Sequence, residues 1–139
     1  MRQAQRKLQV QTPGRGLIEI TRDVVDWTTW QGFSTGLLTL FCRHTSASLL
    51  IQENADPDVQ TDIMAFFAQL APEDPKRYVH DAEGPDDMPS HLRAALTLTQ
   101  LSIPLGAGKL ALGTWQGIYL FEHRRAPHLR EVALHLIGE

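Results

Sequence analysis

The chain has 139 residues, enough for one domain with a real hydrophobic core. With 42% hydrophobic and 21% charged residues it has an ordinary globular composition, and its net charge of −3 argues against nucleic-acid binding. The single cysteine, Cys42, excludes an intrachain disulfide and is expected in the core. No apolar run is long enough to span a bilayer. We therefore expect a cytoplasmic protein with no membrane association, formed by one domain over residues 1–139.

The first third of the chain predicts strands separated by a short helix. Residues 7–20 are typical of two strands around a Pro-Gly turn. Thr21 is expected to cap a helix that Gly32 ends. The Leu, Phe and Thr content after this helix predicts two further strands, Leu37–Arg43 and Ser48–Glu53.

Helical patterns dominate the middle of the chain. Asp56 and Pro57 are typical of the N-cap and first residue of a second helix. Its apolar residues recur at spacings of three and four and are expected to face the core: Val59, Ile63, Phe66, Phe67 and Leu70. A third helix is expected to start at Pro89, where Asp86 and Asp87 can act as caps. Its expected apolar side consists of Leu92, Ala95 and Leu96.

Strand patterns return in the last part of the chain. The expected strands are Gln100–Leu105, Lys109–Leu112, Gln116–Glu122 and Arg130–Ile137. Strands and helices are mixed without regular strand–helix–strand alternation. This arrangement favours an α+β fold with a largely antiparallel sheet or sandwich and a few short helices.

Four of the six histidines lie at the ends of predicted elements, beside polar residues: His44, His80, His91 and His123. Element ends are where a rigid scaffold displays binding groups. The stretch HDAEGPDDMPSH, from His80 to His91, places four carboxylates between two histidines. Imidazole nitrogens bind zinc, and nearby carboxylates can ligate the ion or orient the rings. The spacing matches no short metal-binding motif such as HExxH, so on spacing alone a solvated loop that caps the third helix is the favoured interpretation.

Three other motifs leave a functional and a structural interpretation open. In RHTSAS, the serines beside His44 are more typical of a polar strand end than of a nucleophile, because no orienting acid is identifiable. In GTWQG, burial of Trp115 between two glycines is favoured over stacking on a flat ligand that Gln116 would hydrogen-bond. In EHRR, Arg124 is a candidate for binding phosphate.

The motifs RHTSASLLIQENADPDV, YVHDAEGPDDMPSH and GKLALGTWQGIYLFEHR, in this order, resemble the YjbQ-like family. The resemblance covers nearly the whole chain. It departs after EHR, where this chain has RAPHLREV and many relatives have a Gly-rich turn. Members of this family are described as secondary thiamine-phosphate synthases. The resemblance implies a small α+β fold, a homotrimer and a divalent-metal site built from histidines.

The family pattern carried over to this chain contains His44, Asn54, Asp56, His80, Asp87, His91, Gln116, Glu122 and His123. With Arg124 added from EHRR, we expect three groups of site residues among them. The metal ligands would be His44, His80 and His91. The catalytic group would be His44, Asp87, Glu122 and His123. Substrate or cofactor binding would fall to Asn54, Gln116 and Arg124.

The implied reaction joins a pyrimidine diphosphate to a thiazole phosphate with loss of pyrophosphate. A small phosphorylated metabolite is therefore the expected partner. Zinc is the expected ion, with magnesium as the alternative when the substrate is a diphosphate. Two other functions fit the same residues: a metal-dependent hydrolase, and a non-catalytic trimer that binds a metabolite or a metal.

Overall fold

Eight strands and three helices make up the protein in the computed structural model, which describes residues 1–139. The strands are Arg2–Thr12 (β1), Gly16–Glu19 (β2), Gly36–Cys42 (β3), Ala47–Glu53 (β4), Gln100–Gly106 (β5), Lys109–Leu110 (β6), Gln116–Glu122 (β7) and His128–Gly138 (β8). The helices are Thr21–Gln31 (α1), Pro57–Leu70 (α2) and Asp87–Leu96 (α3), with a 3₁₀ turn at Pro75–Arg77. None of the helices is both long and apolar enough to cross a membrane.

The strands form two antiparallel sheets, which confirms the predicted α+β class. The larger sheet has the order β1-β8-β3-β5-β6, and the smaller has the order β2-β7-β4. Alternate residues of the larger sheet point into a core shared with the smaller one, as expected for side chains with a period of two. In β7, by contrast, every residue from Gly117 to Glu122 is buried. Its end therefore carries polar side chains into the interior.

The first two helices begin differently from each other. Asp56 caps α2 as predicted, because its carboxylate accepts the backbone N–H of Asp58 at 2.9 Å. Thr21 was expected to cap α1, but it is the first helical residue and makes no capping bond. Its hydroxyl instead accepts the N–H of Ile118 at 2.8 Å, which ties the helix to β7. Gly32 ends α1 as predicted, with a left-handed φ of 73°.

The apolar stripe of α2 faces the core only in part, whereas the prediction placed all of it against the core. No residue of this helix is buried, and Phe66 and Leu70 are 57% and 49% exposed. Phe67 packs edge-on against Phe121 of β7, with ring centroids 5.6 Å apart. Periodicity identified an apolar face correctly, but the rest of this chain covers only part of it: Val59, Ile63 and Phe67 are half-buried.

Helix α3 begins at Asp87, two residues earlier than predicted. Pro89 is tolerated in the first turn because the N–H groups there have no intrahelical partner. The predicted apolar side is also wrong: Leu96 is 61% exposed, and the buried side consists of Asp87, Pro89, Ser90 and Arg93. Asp86 occupies the N-cap position without a side-chain capping bond. The capping prediction fails because Asp86 and Asp87 both bind Arg124.

Candidate metal centre

Four side chains converge where the loop before α3 meets its first turn: His80, Glu83, Asp87 and His91. One potential ligand atom of each lies within 4.8 Å of the others. Asp87 Oδ2 lies 2.8 Å from His80 Nε2 and 3.0 Å from His91 Nε2. Asp87 and His91 are four residues apart on one face of α3, so the helix itself sets their separation. Two imidazoles with carboxylates match the donors that zinc prefers.

The other ring nitrogen of His91 is held by the main chain. His91 Nδ1 lies 2.8 Å from the carbonyl oxygen of Thr45, and a carbonyl only accepts, so Nδ1 must carry a proton. A neutral His91 therefore presents a lone pair on Nε2 to the Asp87 carboxylate. These two acceptors repel each other unless a proton or a cation lies between them. The residues present thus fit a divalent cation, in the tautomer that metal ligation requires.

Asp87 is the buried member of the cluster, with a side chain only 2% exposed. Burial alone would raise the pKa of this carboxyl. The hydrogen bond from His80 and the charge of Arg124 outweigh burial and hold the pKa below its usual range, and a proton on His91, when no metal is bound, acts in the same direction. Asp87 is therefore ionised at neutral pH, which is the form that binds a metal.

A cavity of about 580 Å³ lies beside the cluster and shares His91 with it. Its size falls within the range of small-molecule sites, about 300–1,000 Å³. Phe41 and Ala94 contribute apolar walls, whereas His44 and Arg43 contribute polar ones. The cavity is therefore suited to a small ligand with both an apolar body and a polar group.

His44 lines this cavity but does not belong to the group of four convergent ligands. Its Nε2 accepts the backbone N–H of Glu131 at 2.8 Å. Burial, together with the charge of Arg130, lowers the pKa of His44. The ring is therefore neutral at pH 7 and carries its proton on Nδ1. The structure thus places His44 in the wall of the cavity that His91 also lines, outside the cluster.

Behind the cluster lies a buried hydrogen-bonded group, here called the Glu122 network, consisting of Thr12, Glu122 and Arg130. The guanidinium of Arg130 binds both oxygens of Glu122, at 2.8 and 2.5 Å, and Thr12 Oγ1 donates at 2.7 Å. Glu122 has no exposed surface. Burial alone would raise its pKa, but the bonds from Arg130 and Thr12 hold the pKa below its usual range. The predicted catalytic residue Glu122 therefore lies in a closed ion pair.

His123 follows Glu122 and is also completely buried. Its Nε2 lies 2.9 Å from Ser48 Oγ, so a Ser-His pair exists, but it involves His123 rather than His44 and has no access to solvent. Burial and the charge of Arg93 lower the pKa of His123 to about 3. The carbonyl oxygen of His123 accepts the hydroxyl of Ser90 on α3 at 2.9 Å. His123 thus anchors the helix that carries Asp87 and His91.

The predicted binding residues Asn54 and Gln116 lie at the other end of β7. Asn54 Nδ2 donates to Glu19 Oε2 at 3.2 Å, and Gln116 Oε1 accepts the N–H of Gly113 at 2.8 Å. Seven residues of strand span about 20 Å. Within one chain, neither side chain is brought together with the histidine cluster.

Trp115 is 62% exposed, so the favoured interpretation of GTWQG as a site of tryptophan burial is wrong. The close backbone approach is real, and Gly117 shows it. A Cβ atom at this position would lie 2.8 Å from Glu19 Oε2 and 3.0 Å from the Asn54 Cβ. The second glycine of the motif therefore provides space for its neighbours, and Trp115 projects outward at the start of the strand.

Sequence reasoning did not single out Glu83 or Arg130. Glu83 lies within the quoted acidic stretch, four residues before Asp87. The Asp87–His91 spacing of four is the pattern that helical geometry turns into a shared face. The predicted start of α3 at Pro89 left Asp87 outside the helix and concealed this pattern. No local pattern in the sequence pairs Arg130 with Glu122.

Two antiparallel sheets with a His/Asp/Glu cluster at the start of one helix describe a small α+β protein with a candidate metal centre. The family model described as "UPF0047 protein YjbQ-like" matches residues 6–139. The chain therefore belongs to the YjbQ-like family.

Relatives and solved structures agree with this assignment. The chain is 55% identical to the UPF0047 protein sll1880 of Synechocystis over 99% of its own length and 94% of that protein. It is 40% identical to YjbQ of Escherichia coli O157:H7 over 97% of its length and 98% of that protein. The crystal structure of the conserved hypothetical protein TT1486 from Thermus thermophilus superimposes with a TM-score of 0.81 at 36% identity, covering 94% of this chain and 98% of that one.

Proposed function

We propose that this chain is a divalent-metal-dependent enzyme whose metal binds at His80, Glu83, Asp87 and His91. The observation that carries this proposal is the convergence of two imidazole nitrogens on Asp87 Oδ2. His91 is held in the ligating tautomer by Thr45. Zinc is the ion that these donors favour, and magnesium is the alternative when a diphosphate substrate supplies further oxygen ligands.

The activity we propose is thiamine-phosphate synthesis from a pyrimidine diphosphate and a thiazole phosphate. The family resemblance supports it, and so does the cavity beside His91, whose volume of about 580 Å³ suits a small heteroaromatic substrate. When bound, the metal would stabilise the negative charge that develops on the departing pyrophosphate. Phe41 and Ala94 would contact the ring of the substrate, and the polar side of the cavity would face its phosphate.

The chain's own residues divide the remaining work. Asp87 and His91 hold the ion on the rigid first turn of α3, and His80 approaches from the loop. His44 lines the cavity, but both of its ring nitrogens face other protein groups: Nε2 accepts from the N–H of Glu131, and Nδ1 lies 3.5 Å from Arg130 Nη1. We therefore assign His44 the role of shaping the cavity wall. Glu122 and His123 touch neither the cavity nor the solvent, and we assign them the role of holding the end of β7 and α3 in register.

We also propose that the chain acts as a homotrimer in the cytoplasm. Support comes from large apolar side chains left exposed, including Phe66 and Leu70 on α2 and Trp115 before β7. Such surfaces mark association sites in many proteins. Light scattering on the purified protein should give three times the chain mass. A stable monomer at micromolar concentration would contradict this assignment and leave the metal site unaffected.

Elemental analysis and turnover test the enzymatic proposal. Protein reconstituted with zinc should retain about one ion per chain, as a single site requires, and should form thiamine phosphate from the two precursors. His91→Ala should lose both properties. His135→Ala is the matched control, because His135 on β8 bonds Gln3 of β1, outside the cluster.

The outcomes separate the alternatives. Metal retention without thiamine phosphate would reject the synthase activity and leave the metal site standing. Hydrolysis of phosphate or ester substrates that is lost in His80→Ala would then identify a metal-dependent hydrolase. Ligand-induced stabilisation with no turnover would identify a binding protein. Failure to retain metal after reconstitution would reject the proposal as a whole.

A further inference from the structure

We infer that Arg124 is a positioning residue for the metal cluster: it orients Asp87 so that one carboxylate oxygen faces His80 and His91. The inference rests on the proposed function, since it requires a metal at the cluster. It replaces the role of phosphate ligand that the sequence suggested for Arg124.

Most N–H groups of the Arg124 guanidinium already have an acceptor within the protein. Nε donates to Asp86 Oδ2 at 3.0 Å, and Nη1 donates to Asp87 Oδ1 at 2.6 Å. Nη2 donates to the carbonyl oxygen of Glu83 at 3.0 Å and, more weakly, to Asp86 Oδ1 at 3.4 Å. These contacts use four of the five N–H groups of a guanidinium. Arg124 therefore has little capacity left to bind a phosphate.

The two oxygens of Asp87 are divided between different partners. Oδ1 receives Arg124, whereas Oδ2 lies within 3.0 Å of both histidine Nε2 atoms. Because a carboxylate is planar, fixing Oδ1 also fixes the direction of Oδ2. A residue that hydrogen-bonds a metal ligand, without binding the metal itself, orients that ligand and raises the affinity of the site for the metal.

Arg124 is itself held by the main chain on both sides. Its backbone N–H donates to Glu122 Oε2 at 3.1 Å, and the N–H of Arg125 donates to Asp86 Oδ2 at 3.0 Å. The guanidinium therefore reaches α3 from a fixed point at the end of β7. A planar, multiply donating group can bind two neighbouring carboxylates at once, whereas a lysine ammonium acts as a single point charge.

The sign of the expected effect distinguishes positioning from simple electrostatics. Arg124 is a cation beside a site for a cation, so Coulomb repulsion alone predicts that its removal tightens metal binding. Positioning predicts the reverse. The direction of the change in zinc affinity in Arg124→Gln therefore decides between the two effects.

Zinc affinity is measured by calorimetric competition with a chelator, on the full-length metal-free protein. Arg124→Gln should bind zinc about 10–100-fold more weakly than the wild type, the usual loss when a partner of a metal ligand is removed. The zinc affinity of Arg124→Lys should lie between those of Arg124→Gln and the wild type. Arg125→Gln is the matched control: it removes the same charge from the next residue, whose guanidinium binds Glu73 and not the cluster. It should leave affinity unchanged or slightly tighter.

A second measurement reports on ligand geometry without using activity. In cobalt-substituted protein, the visible absorption bands should shift in Arg124→Gln and Arg124→Lys and stay unchanged in Arg125→Gln. If Arg124→Gln does not fold, Arg124→Lys decides the question. Wild-type affinity together with a wild-type cobalt spectrum in that variant would overturn the inference.

Two further results have distinct meanings. Zinc binding by the wild type, with equal or tighter binding by Arg124→Gln, would reject the positioning role and leave the metal site intact. Inorganic phosphate or pyrophosphate binding that disappears in this variant, with zinc affinity kept, would restore the role of phosphate ligand. No zinc binding by the wild type would reject the proposed function itself.

Discussion

The metal cluster and the Glu122 network lie at the same end of β7 and each contains a buried carboxylate, yet their hydrogen bonding differs. In the Glu122 network, both oxygens of the carboxylate bind Arg130, and Thr12 adds a third bond. In the cluster, a buried carboxylate oxygen faces two imidazole nitrogens, and His91 has its proton on the opposite side of the ring.

The difference shows how to distinguish a structural polar group from a binding group. The Glu122 network is closed around its carboxylate, since both oxygens of Glu122 accept hydrogen bonds and Glu122 has no exposed surface. The cluster is complete only when a positive charge joins its acceptors, and the side chain of His80 is 45% exposed. Removing a member of the Glu122 network should lower the free energy of unfolding. Removing a member of the metal cluster should lower the affinity for the metal.

The largest expected effect is on folding. Glu122→Gln leaves the Arg130 charge buried without its counter-ion, and breaking a buried pair in this way costs about 3–5 kcal/mol of unfolding free energy. Urea denaturation measures the loss. Glu131→Gln is the control, because its pair with Arg43 is solvent-accessible and should be worth less than about 1 kcal/mol. Equal losses in the two variants would show that the Glu122 network is not the closed structural unit described above.

The next effect is on metal affinity. Asp87→Asn removes the charged ligand that both histidines approach, and zinc should bind at least about 100-fold more weakly, equivalent to about 2.7 kcal/mol. Asp81→Asn, a change at an exposed aspartate of the same loop outside the cluster, should bind like the wild type. Unchanged affinity in Asp87→Asn would place the metal elsewhere.

A third effect is the pH dependence of folding. Burial holds the pKa of His123 at about 3, against 6.5 for an unperturbed histidine, so below pH 6.5 the unfolded chain binds the proton more readily. The contribution of neutral His123 to the free energy of unfolding is present above pH 6.5 and is lost progressively as the pH falls toward 3. Between pH 6.5 and 4.5 the loss from this residue should be about 2 kcal/mol. His123→Gln should flatten the pH profile of urea denaturation, and a profile as steep as that of the wild type would reject this origin.

The smallest expected effect is at the opposite end of β7. Gln116→Ala should change zinc affinity by less than about twofold, because distant sites that share no partner act independently. The same calorimetric competition measures it. A loss of tenfold or more would show that Gln116 reaches a cluster, which the geometry permits only if the Gln116 of another copy approaches it. The metal cluster, unlike the Glu122 network, would then depend on a contact between subunits.

The sequence predicted this site where the determinants are local. HDAEGPDDMPSH contains all four convergent residues within twelve positions, so one loop and one helical turn suffice to bring them together. The strands were also placed closely, because alternation and turn residues act over short distances. The pairing of Glu122 with Arg130 could not be predicted, because it depends on how β7 and β8 lie in different sheets.

The incorrect predictions concern which helix surfaces are buried in the folded protein, rather than which residues form the helices. The stripe of α2 has helical spacing, but periodicity does not reveal which surface it meets, and Phe66 faces outward. The buried side of α3 is polar because Ser90 and Asp87 bond His123 and Arg124, the two residues that follow β7. A pattern of apolar residues cannot reveal such a polar contact.

The position of β8 has a consequence for how the chain folds. This strand lies between β1 and β3 in the larger sheet, and it pairs with β1 along eleven residues, from Arg2–Gly138 to Thr12–His128. Both β1 and β3 are synthesised before β8. The strand edges that later pair with β8 therefore stay unpaired until β8 has been synthesised. Such non-local pairing is typical of folding over milliseconds to seconds. Until β8 has paired, the new chain therefore exposes strand edges that are open to pairing with other chains.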